Sequence, residues 1–424
     1  MELPIYRDLP EGPILLGCLS RNEGNVSFEY DEAYLGSSAA AALSLSLPLR
    51  QALFSEPELT PYFRGLLPEG TALENLCRSM EIAETDYFGM LEACGLDCLG
   101  DIIINPGAYH GKRNYEPVSL AQIKAMAERP GRIDLSLEKA RLSLAGTQNK
   151  CGLYHDPDVT VDEGWFQPVG GAPSNCIVKF ARENMTDLMQ VEHLSMTAAS
   201  RCGLEVARTQ LLSPIEPIIC VERYDRLSAS GEVINGVAAP VRRHQEDLTQ
   251  ALGLLPYAKY HELKPSTVEV VADFLRRHSA APVKDIRAFA AIVLFNYLIG
   301  NCDNHLKNLS ILYSPDWRSF TLAPAYDLVS TTYFARFSRE MGMAIGRHRV
   351  IDDVDAGDFE LLSEQLGVGM ALIRGVAEEL IAHAQKAIRE EGERLGELGY
   401  KAAPYIADDM EEDILPRMEL LAGL

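Results

Sequence analysis

A polar run between two apolar segments is the part of the sequence best suited to chemistry, and it contains Asp303 and Asn308 in the spacing D-x-x-x-x-N. A phosphotransferase catalytic loop has this spacing. Its aspartate accepts the proton of the substrate hydroxyl, and its asparagine binds magnesium through the amide oxygen. The alternative is a structural loop, because Asp and Asn commonly cap turns. A helix predicted before the run and a strand predicted after it would hold the loop rigid.

A second acidic residue, Asp327, follows the apolar segment 320–326. Magnesium is a hard cation that takes one or two carboxylates together with phosphate oxygens and water. Asp327 beside Asn308 would supply such a site, as the metal-binding aspartate of protein kinases does. The alternative is that Asp327 is the N-cap of the turn formed by residues 328–330.

Upstream, Lys179 lies in the strand-like segment 176–180, where a buried lysine is costly unless it is paired. Glu192, on the helix predicted over 188–202, is a candidate partner. Lysine on a strand, glutamate on the next helix, the Asp-x4-Asn loop and a later aspartate follow the order of parts in protein kinases. Each part alone favours a structural role, whereas the four in this order favour a kinase.

A glycine-containing loop lies between the strand-like segments 141–145 and 151–154, and consists of Ala145, Gly146, Thr147, Gln148, Asn149 and Lys150. It has a single glycine and departs from the G-x-G-x-x-G rule, so by itself it predicts a hairpin turn. As a phosphate-binding loop it would rely on backbone N–H groups, assisted by the side chains of Thr147, Gln148 and Lys150. No zinc-binding H-E-x-x-H spacing, nucleophile elbow or P-loop occurs in the sequence.

Along the rest of the chain, the hydrophobic patterns predict a strand-rich first half and a helix-rich second half, which is an α+β, two-lobed plan. Strands are expected at 14–19, 25–30, 101–105, 141–145, 151–154, 176–180 and 218–222. Helices are expected at 188–202, 266–277, 283–299, 359–366 and 371–391. The expected domains are 1–110, 111–225 and 226–424.

Composition narrows the classes of protein. The 424 residues include 39 Lys and Arg against 61 Asp and Glu, a net charge of −22, which argues against a nucleic-acid-binding surface of its own. Nine dispersed cysteines without a C-x-x-C pair predict reduced thiols. The longest apolar segment, 288–300, is too short to cross a bilayer, and the first residues do not resemble a signal peptide. We therefore expect a cytoplasmic protein without a membrane partner.

Five motifs in order resemble the HipA family, the bacterial serine/threonine kinases of toxin–antitoxin modules. They are residues 142–150, 221–226, 244–247, 303–308 and 326–327. The stretch 61–70 resembles the family's N-terminal subdomain, so the likeness covers essentially the whole chain. The resemblance implies a two-lobed protein-kinase-like fold with a β-rich N-lobe, a helical C-lobe and a HipA-type N-terminal subdomain packed on the N-lobe.

The same resemblance implies roles for individual residues. Asp303 would be the catalytic base, and Asn308 and Asp327 the magnesium ligands. Contacts with ATP are implied for Lys179 at the phosphates, for Glu222, Arg223 and Tyr224 at the adenine, for His305 and Tyr326 beside the nucleotide, and for the loop 145–150. Asn149 departs from the family, which usually has Glu there, and Asn304 and Leu306 replace small residues.

Ser143 matches the family's regulatory autophosphorylation serine. A phosphate there would add about −1.5 to −2 charges beside the nucleotide loop, which would eject the loop and inactivate the enzyme. The alternative is an ordinary polar strand residue.

The resemblance therefore implies an ATP- and magnesium-dependent kinase that phosphorylates a cytosolic protein, such as aminoacyl-tRNA synthetase machinery. It also implies a HipB-like DNA-binding antitoxin as partner, with no direct contact between this chain and nucleic acid. A small-molecule kinase and a nucleotide-binding module without transfer activity are the alternatives, because both could carry the same Asp, Asn and Lys residues.

Overall fold

The computed structural model of the chain describes residues 1–104, 113–128, 150–181, 185–216, 218–227 and 232–424. The strands are β1 Glu2–Leu9, β2 Gly12–Asn22, β3 Asn25–Tyr30, β4 Ile102–Ile104, β5 Asn114–Pro117, β6 Lys150–His155, β7 Trp165–Val169, β8 Cys176–Phe180, β9 Thr209–Leu211, β10 Ile218–Glu222, β11 Arg226–Leu227, β12 Val233–Ile234, β13 Val237–Ala238, β14 Val241–Arg242, β15 Gln245–Asp247, β16 Ser310–Tyr313, β17 Phe320–Leu322, β18 Glu340–Ile345 and β19 His348–Val350.

The helices are α1 Glu32–Leu35, α2 Glu56–Gly65, α3 Gly70–Met80, α4 Tyr87–Cys94, α5 Leu120–Glu128, α6 Leu188–Arg201, α7 Leu248–Ala251, α8 Thr267–His278, α9 Pro282–Ile299, α10 Ala356–Leu366, α11 Met370–Glu397 and α12 Ala403–Ala422. Short 3-10 helices occur at Gly95–Asp97, Pro256–Tyr260, Leu306–Asn308 and Ile351–Asp353.

The chain divides into two compact units, each assembled from separate segments. The first comprises Met1–Arg182, Cys220–Pro256 and Leu312–Arg318, and the second comprises Glu183–Ile219, Tyr257–Ile311 and Ser319–Leu424. These units cut across the ranges 1–110, 111–225 and 226–424, which remain a prediction about domain boundaries.

The first unit contains an antiparallel sheet in the order β3-β2-β1-β4. The predicted strands at 14–19 and 25–30 are confirmed. They are joined through Glu23 and Gly24, which both have positive φ, as a tight hairpin turn requires. The buried ring of Phe28, on β3, lies 5.9 Å from the Phe54 ring and 5.8 Å from the Phe63 ring. The sheet therefore has its own aromatic core.

Neighbouring strands of a second sheet in the same unit follow in the order β5-β7-β6-β8-β10. It confirms the strands predicted at 151–154, 176–180 and 218–222. Tyr115, Tyr154 and Phe166 form an aromatic cluster on it, which explains why the short strands β5 and β7 are stable there. The predicted strand 141–145 and Ser143, Ala145, Gly146, Thr147, Gln148 and Asn149 lie outside the described residues.

The second unit is mainly helical. Helix α9 is buried along most of its length, and α8, α11 and α12 pack against it. The four helices predicted after residue 260 are confirmed, although α11 continues to Glu397. Helix α12 was not predicted, because Pro416 lies inside it and proline normally ends a helix. Its buried face, including Met410 and Ile414, packs on α11 and outweighs that cost.

All nine cysteines are free thiols, as the dispersed spacing predicts. In the described part of the chain, no helix combines the length and the apolar composition needed to cross a membrane.

Candidate active site

The polar run begins where α9 ends, at Gly300. This residue has a φ of 72°, and an added Cβ would lie only 1.8 Å from the Thr332 hydroxyl oxygen, so glycine is required. The Gly300 carbonyl accepts hydrogen bonds from the backbone N–H groups of Thr331 and Thr332, each at 3.1 Å. The chain therefore leaves the buried helix in a fixed direction.

The next residues hold Asp303 from the helix side. Asn301 is buried, and its amide nitrogen donates to the Asn296 side-chain oxygen at 2.8 Å. The Asn301 side-chain oxygen accepts the backbone N–H of Asp303 at 3.0 Å. The backbone N–H of Cys302 donates to the Thr331 hydroxyl at 2.8 Å. The backbone N–H groups of Cys302 and Asp303 are thus held by buried side chains.

Strand β18 holds the loop from the other side. The Gly342 N–H donates to the Cys302 carbonyl at 2.8 Å, and the Met343 N–H donates to the Asn304 side-chain oxygen at 3.2 Å. A Cβ on Gly342 would lie 3.0 Å from the backbone carbonyl carbon and oxygen of Asn304. The strand can approach this closely only because residue 342 has no side chain.

The structure brings Asp303 and Asn308 together. The Asn308 amide nitrogen donates to the Asp303 backbone carbonyl at 2.8 Å, which leaves the amide oxygen as the end that can meet a cation. The Asp303 side chain is 51% exposed, so its carboxylate can reach a substrate. Tyr260, which sequence reasoning missed, donates its hydroxyl to Oδ1 of this carboxylate.

His305 lies beneath the same carboxylate, with Nε2 3.7 Å from Asp303 Oδ1. Burial lowers the pKa of His305, and the negative charges of Asp303 and Asp327 only partly oppose that effect. The imidazole is therefore neutral near pH 7. Asp303 and Asp327 thus both contribute negative charge at the His305 ring.

Tyr326 supports the loop rather than standing apart from it. Its hydroxyl donates to the Lys307 carbonyl at 2.7 Å and lies 2.7 Å from the Ser310 hydroxyl. Asp327 follows with a φ of 58°, a left-handed conformation that non-glycine residues seldom adopt. Residues 328–330 form neither a turn nor the start of a helix, so the N-cap interpretation of Asp327 was wrong. A strained aspartate beside a catalytic-type loop is typical of a functional site.

In the first unit, the two predicted phosphate-binding lysines are neighbours. Lys150 on β6 lies directly opposite Lys179 on β8 in the antiparallel register, so both side chains leave the same face of the sheet. Lys179 is 7% exposed. Two ammonium groups on one face of a sheet are suited to contacts with phosphate oxygens.

The predicted adenine segment follows β10. Glu222 is exposed, whereas the Arg223 side chain is buried and donates to both carboxylate oxygens of Asp225, at 3.0 and 2.8 Å. The backbone N–H of Arg223 donates to the Asn175 carbonyl at 2.9 Å. The Tyr224 hydroxyl donates to the Gln245 side chain. The Arg223 backbone carbonyl accepts the N–H of Arg226 at 3.2 Å, so the side chain, N–H and carbonyl of Arg223 all have partners. The adenine role of residues 222–224 stays a prediction.

Arg223 belongs to a buried ion cluster that sequence reasoning missed. Its members are Asp97, Arg223, Asp225, Arg226 and Arg242, all with side chains at most 6% exposed. The Arg226 guanidinium bridges two carboxylates, since it lies 3.0 Å from an oxygen of Asp97 and 2.8 Å from an oxygen of Asp225. Burial would raise the pKa of Asp225, but the adjacent arginines outweigh it and hold that pKa well below its usual range. Only the pairing of Arg and Asp in residues 223–226 hinted at this cluster.

Comparisons with known proteins place both halves of the chain in one family. Residues 12–105 match the family described as HipA N-terminal domain, and residues 142–388 match the HipA-like C-terminal domain. Y4mE, a candidate kinase of Sinorhizobium fredii, is 32% identical over 86% of this chain and 86% of its own length. The serine/threonine-protein kinase toxin HipA of Shewanella oneidensis is 28% identical over 97% of this chain and 95% of its own.

The solved structure of the Shewanella oneidensis HipA, in complex with HipB and operator DNA, has the same fold. The TM-score is 0.76 at 23% sequence identity, with 100% of this chain and 99% of that chain covered. This likeness confirms the α+β, protein-kinase-like fold. With two family domains in order and relatives matched over nearly their full length, the chain belongs to the HipA family of serine/threonine-protein kinases.

Proposed function

We propose that this kinase uses ATP and Mg²⁺ and transfers the γ-phosphoryl group to a serine or threonine of a protein. The observation that carries the proposal is the fixed pair Asp303 and Asn308, with an exposed carboxylate and an amide whose nitrogen is already bound. Such a pair can accept a substrate proton and hold a cation at once.

The roles of the residues follow from their surroundings. The Asp303 carboxylate receives the proton of the attacking hydroxyl, because it is the exposed basic group of a loop that is otherwise pinned. Asn308 and Asp327 would hold Mg²⁺, which neutralises charge on the β- and γ-phosphates when bound. Neutral His305 packs beneath Asp303 and adds no positive charge that would weaken it as a base. Lys150 and Lys179 would contact phosphate oxygens.

The experiment compares wild type with Asp303→Ala and with a control, Asp408→Asn. Asp408 is an exposed residue on α12. Each protein is incubated with ATP and Mg²⁺, and phosphate incorporation is followed by intact-mass spectrometry, together with ATP titration by calorimetry. We expect transfer in wild type and Asp408→Asn, and none in Asp303→Ala, which should still bind ATP. Transfer at the wild-type rate in Asp303→Ala would remove Asp303 from the mechanism.

We further propose that Ser143 is an autophosphorylation site, as its match to the family position suggests. Peptide mapping of the phosphorylated wild type should place the modification on Ser143, and Ser143→Ala should stay active for longer. Incorporation that persists at the same level in Ser143→Ala would move the site elsewhere.

For its partners, we propose a HipB-like antitoxin and a protein substrate in the translation machinery. The net charge of −22 supports this division of labour, since a DNA-reading surface has to be basic and would come from the partner. The partner is tested by co-expression and co-purification of this chain with a HipB-like DNA-binding protein. The substrate is tested by labelling a panel of aminoacyl-tRNA synthetases, where no labelling above the Asp303→Ala background would exclude that class.

A further inference from the structure

Tyr260 makes a contact that the kinase parts described so far do not explain. Its hydroxyl donates to Oδ1 of Asp303, and its ring meets His305 edge-on, with the centroids 4.9 Å apart. Tyr260 ends the short 3-10 helix Pro256–Tyr260 and is 42% exposed. A surface tyrosine thus lies against the one carboxylate that the proposed reaction needs as a base.

The position of Tyr260 is set by the same hairpin that holds the catalytic loop. Arg349, on β19, donates to the Tyr260 backbone carbonyl at 3.2 Å and to the Met341 carbonyl at 3.1 Å. On the neighbouring strand β18, Gly342 and Met343 donate to Cys302 and Asn304 of the loop. Tyr260 and Asp303 are therefore attached to one hairpin and cannot shift independently without breaking hydrogen bonds.

The two oxygens of the Asp303 carboxylate have different surroundings. Oδ1 faces inward, bonded to the Tyr260 hydroxyl and 3.7 Å from the buried His305 Nε2. Among the described residues, none donates a hydrogen bond to Oδ2, and half of the side chain is exposed. Oδ2 is thus the oxygen that an incoming hydroxyl can reach. The Tyr260 contact does not block it, which argues against a merely autoinhibitory role.

We propose that Tyr260 is a positioning residue, which fixes the Asp303 carboxylate by holding Oδ1 so that Oδ2 faces the substrate hydroxyl. In the step it serves, the substrate O–H bond breaks and its proton goes to Oδ2. The oxygen bonds to the γ-phosphorus, and the bond from that phosphorus to the β–γ bridging oxygen breaks, releasing ADP. The inference rests on the proposed function, since it needs Asp303 to be the base.

The test is Tyr260→Phe, which removes the hydroxyl and keeps the ring against His305. The matched control is Tyr257→Phe, on the same short helix but 67% exposed. We expect Tyr260→Phe to lower kcat about tenfold to a hundredfold, because a loosened base spends less time in the reactive geometry. The KM for ATP and the Tm should stay at the wild-type values, as should every constant of Tyr257→Phe. A loss of packing alone would move Tm.

A second variant, Arg349→Ala, removes the anchor of Tyr260 while leaving its hydroxyl in place. We expect a smaller loss of kcat in the same direction. The double variant with Tyr260→Phe should lose less than the product of the two single losses, because the two changes share the Tyr260 contact although Arg349→Ala also removes the bond to the Met341 carbonyl. Wild-type kcat in Tyr260→Phe, or a kcat that rises, would overturn the positioning role while leaving the kinase intact. Absence of transfer in wild type itself would instead overturn the proposed function and this role with it.

Discussion

Gly342→Ala isolates how tightly the catalytic loop has to be placed. The added Cβ would lie 3.0 Å from the carbonyl carbon and oxygen of Asn304 and 3.1 Å from the His305 Cβ. Ordinary contacts between such atoms are about 3.5 Å or longer, so the loop has to give by roughly 0.5 Å. The change removes no hydrogen bond, and residue 342 does not have the positive φ that would strain alanine.

The size of the effect follows from that displacement. A misplacement of 1 Å can cost about a hundredfold in rate, so a shift of roughly half that size should lower kcat about tenfold, or about 1.4 kcal/mol in activation free energy. The KM for ATP should change little, because the lysines of the first unit are untouched.

The assay is steady-state phosphoryl transfer with thermal unfolding measured in parallel. Gly375→Ala is the control, since a Cβ there would meet open space on helix α11 and alanine should stabilise that helix by about 0.5–1 kcal/mol. A Gly342→Ala enzyme with wild-type kcat would refute the argument that β18 sets the position of the loop. A fall in kcat that merely tracks a fall in Tm would refute it too.

Three further outcomes are expected. Asp97→Asn leaves the buried arginines of the ion cluster short of a counter-charge. It should reduce the free energy of unfolding, measured by urea titration, by about 3–5 kcal/mol. A reduction below about 1 kcal/mol would show that the cluster does not need the Asp97 charge. Tyr326→Phe loses the hydrogen bond to the Lys307 carbonyl and should lower the free energy of unfolding by about 1 kcal/mol in the same titration. It should also lower kcat. An unchanged kcat would show that the loop does not need this support. Glu391 is bonded to Arg394 and to His193, and these partners outweigh burial and lower its pKa from 4.5 to about 2. Its stabilising contribution is therefore complete above about pH 4.5 and is lost as the pH falls towards 2. The urea midpoint of Glu391→Gln should therefore change less with pH over that range than the midpoint of the wild type. An equally steep fall in the variant would assign the acid sensitivity to other groups.

The buried ion cluster gives the N-terminal family region a physical role in the first unit. Asp97 lies within residues 12–105, whereas Arg223 belongs to the predicted adenine segment and Asp225 follows it. Arg223 approaches both carboxylates, Asp97 at 3.6 Å and Asp225 at 2.8 Å. Breaking a buried pair is costly because it leaves an uncompensated charge. The N-terminal region is thus built into the support of that segment and is not a loosely attached module.

Much of the fold could be predicted because its elements carry strong local patterns. Helices α8 and α9 and strands β3 and β8 have the expected periodicity or apolar character, and all were predicted within a residue or two. Strand β1 was missed, since Arg7 and Asp8 break its apolar pattern and are buried only because partners lie elsewhere in the first unit. Helix α12 was missed for the same kind of reason, because packing against α11 outweighs an internal proline.

The sequence by itself determined the chemistry available to this protein: an aspartate and an asparagine at fixed spacing, a later aspartate and a strand lysine, because side-chain type and local spacing are written in the chain. Only the tertiary structure decided what surrounds them. The contacts of Tyr260 with Asp303, of Gly342 with Asn304 and of Arg223 with Asp97 join residues far apart in sequence. No local pattern encodes such contacts, since they depend on where helices and strands pack and on which buried charges then meet.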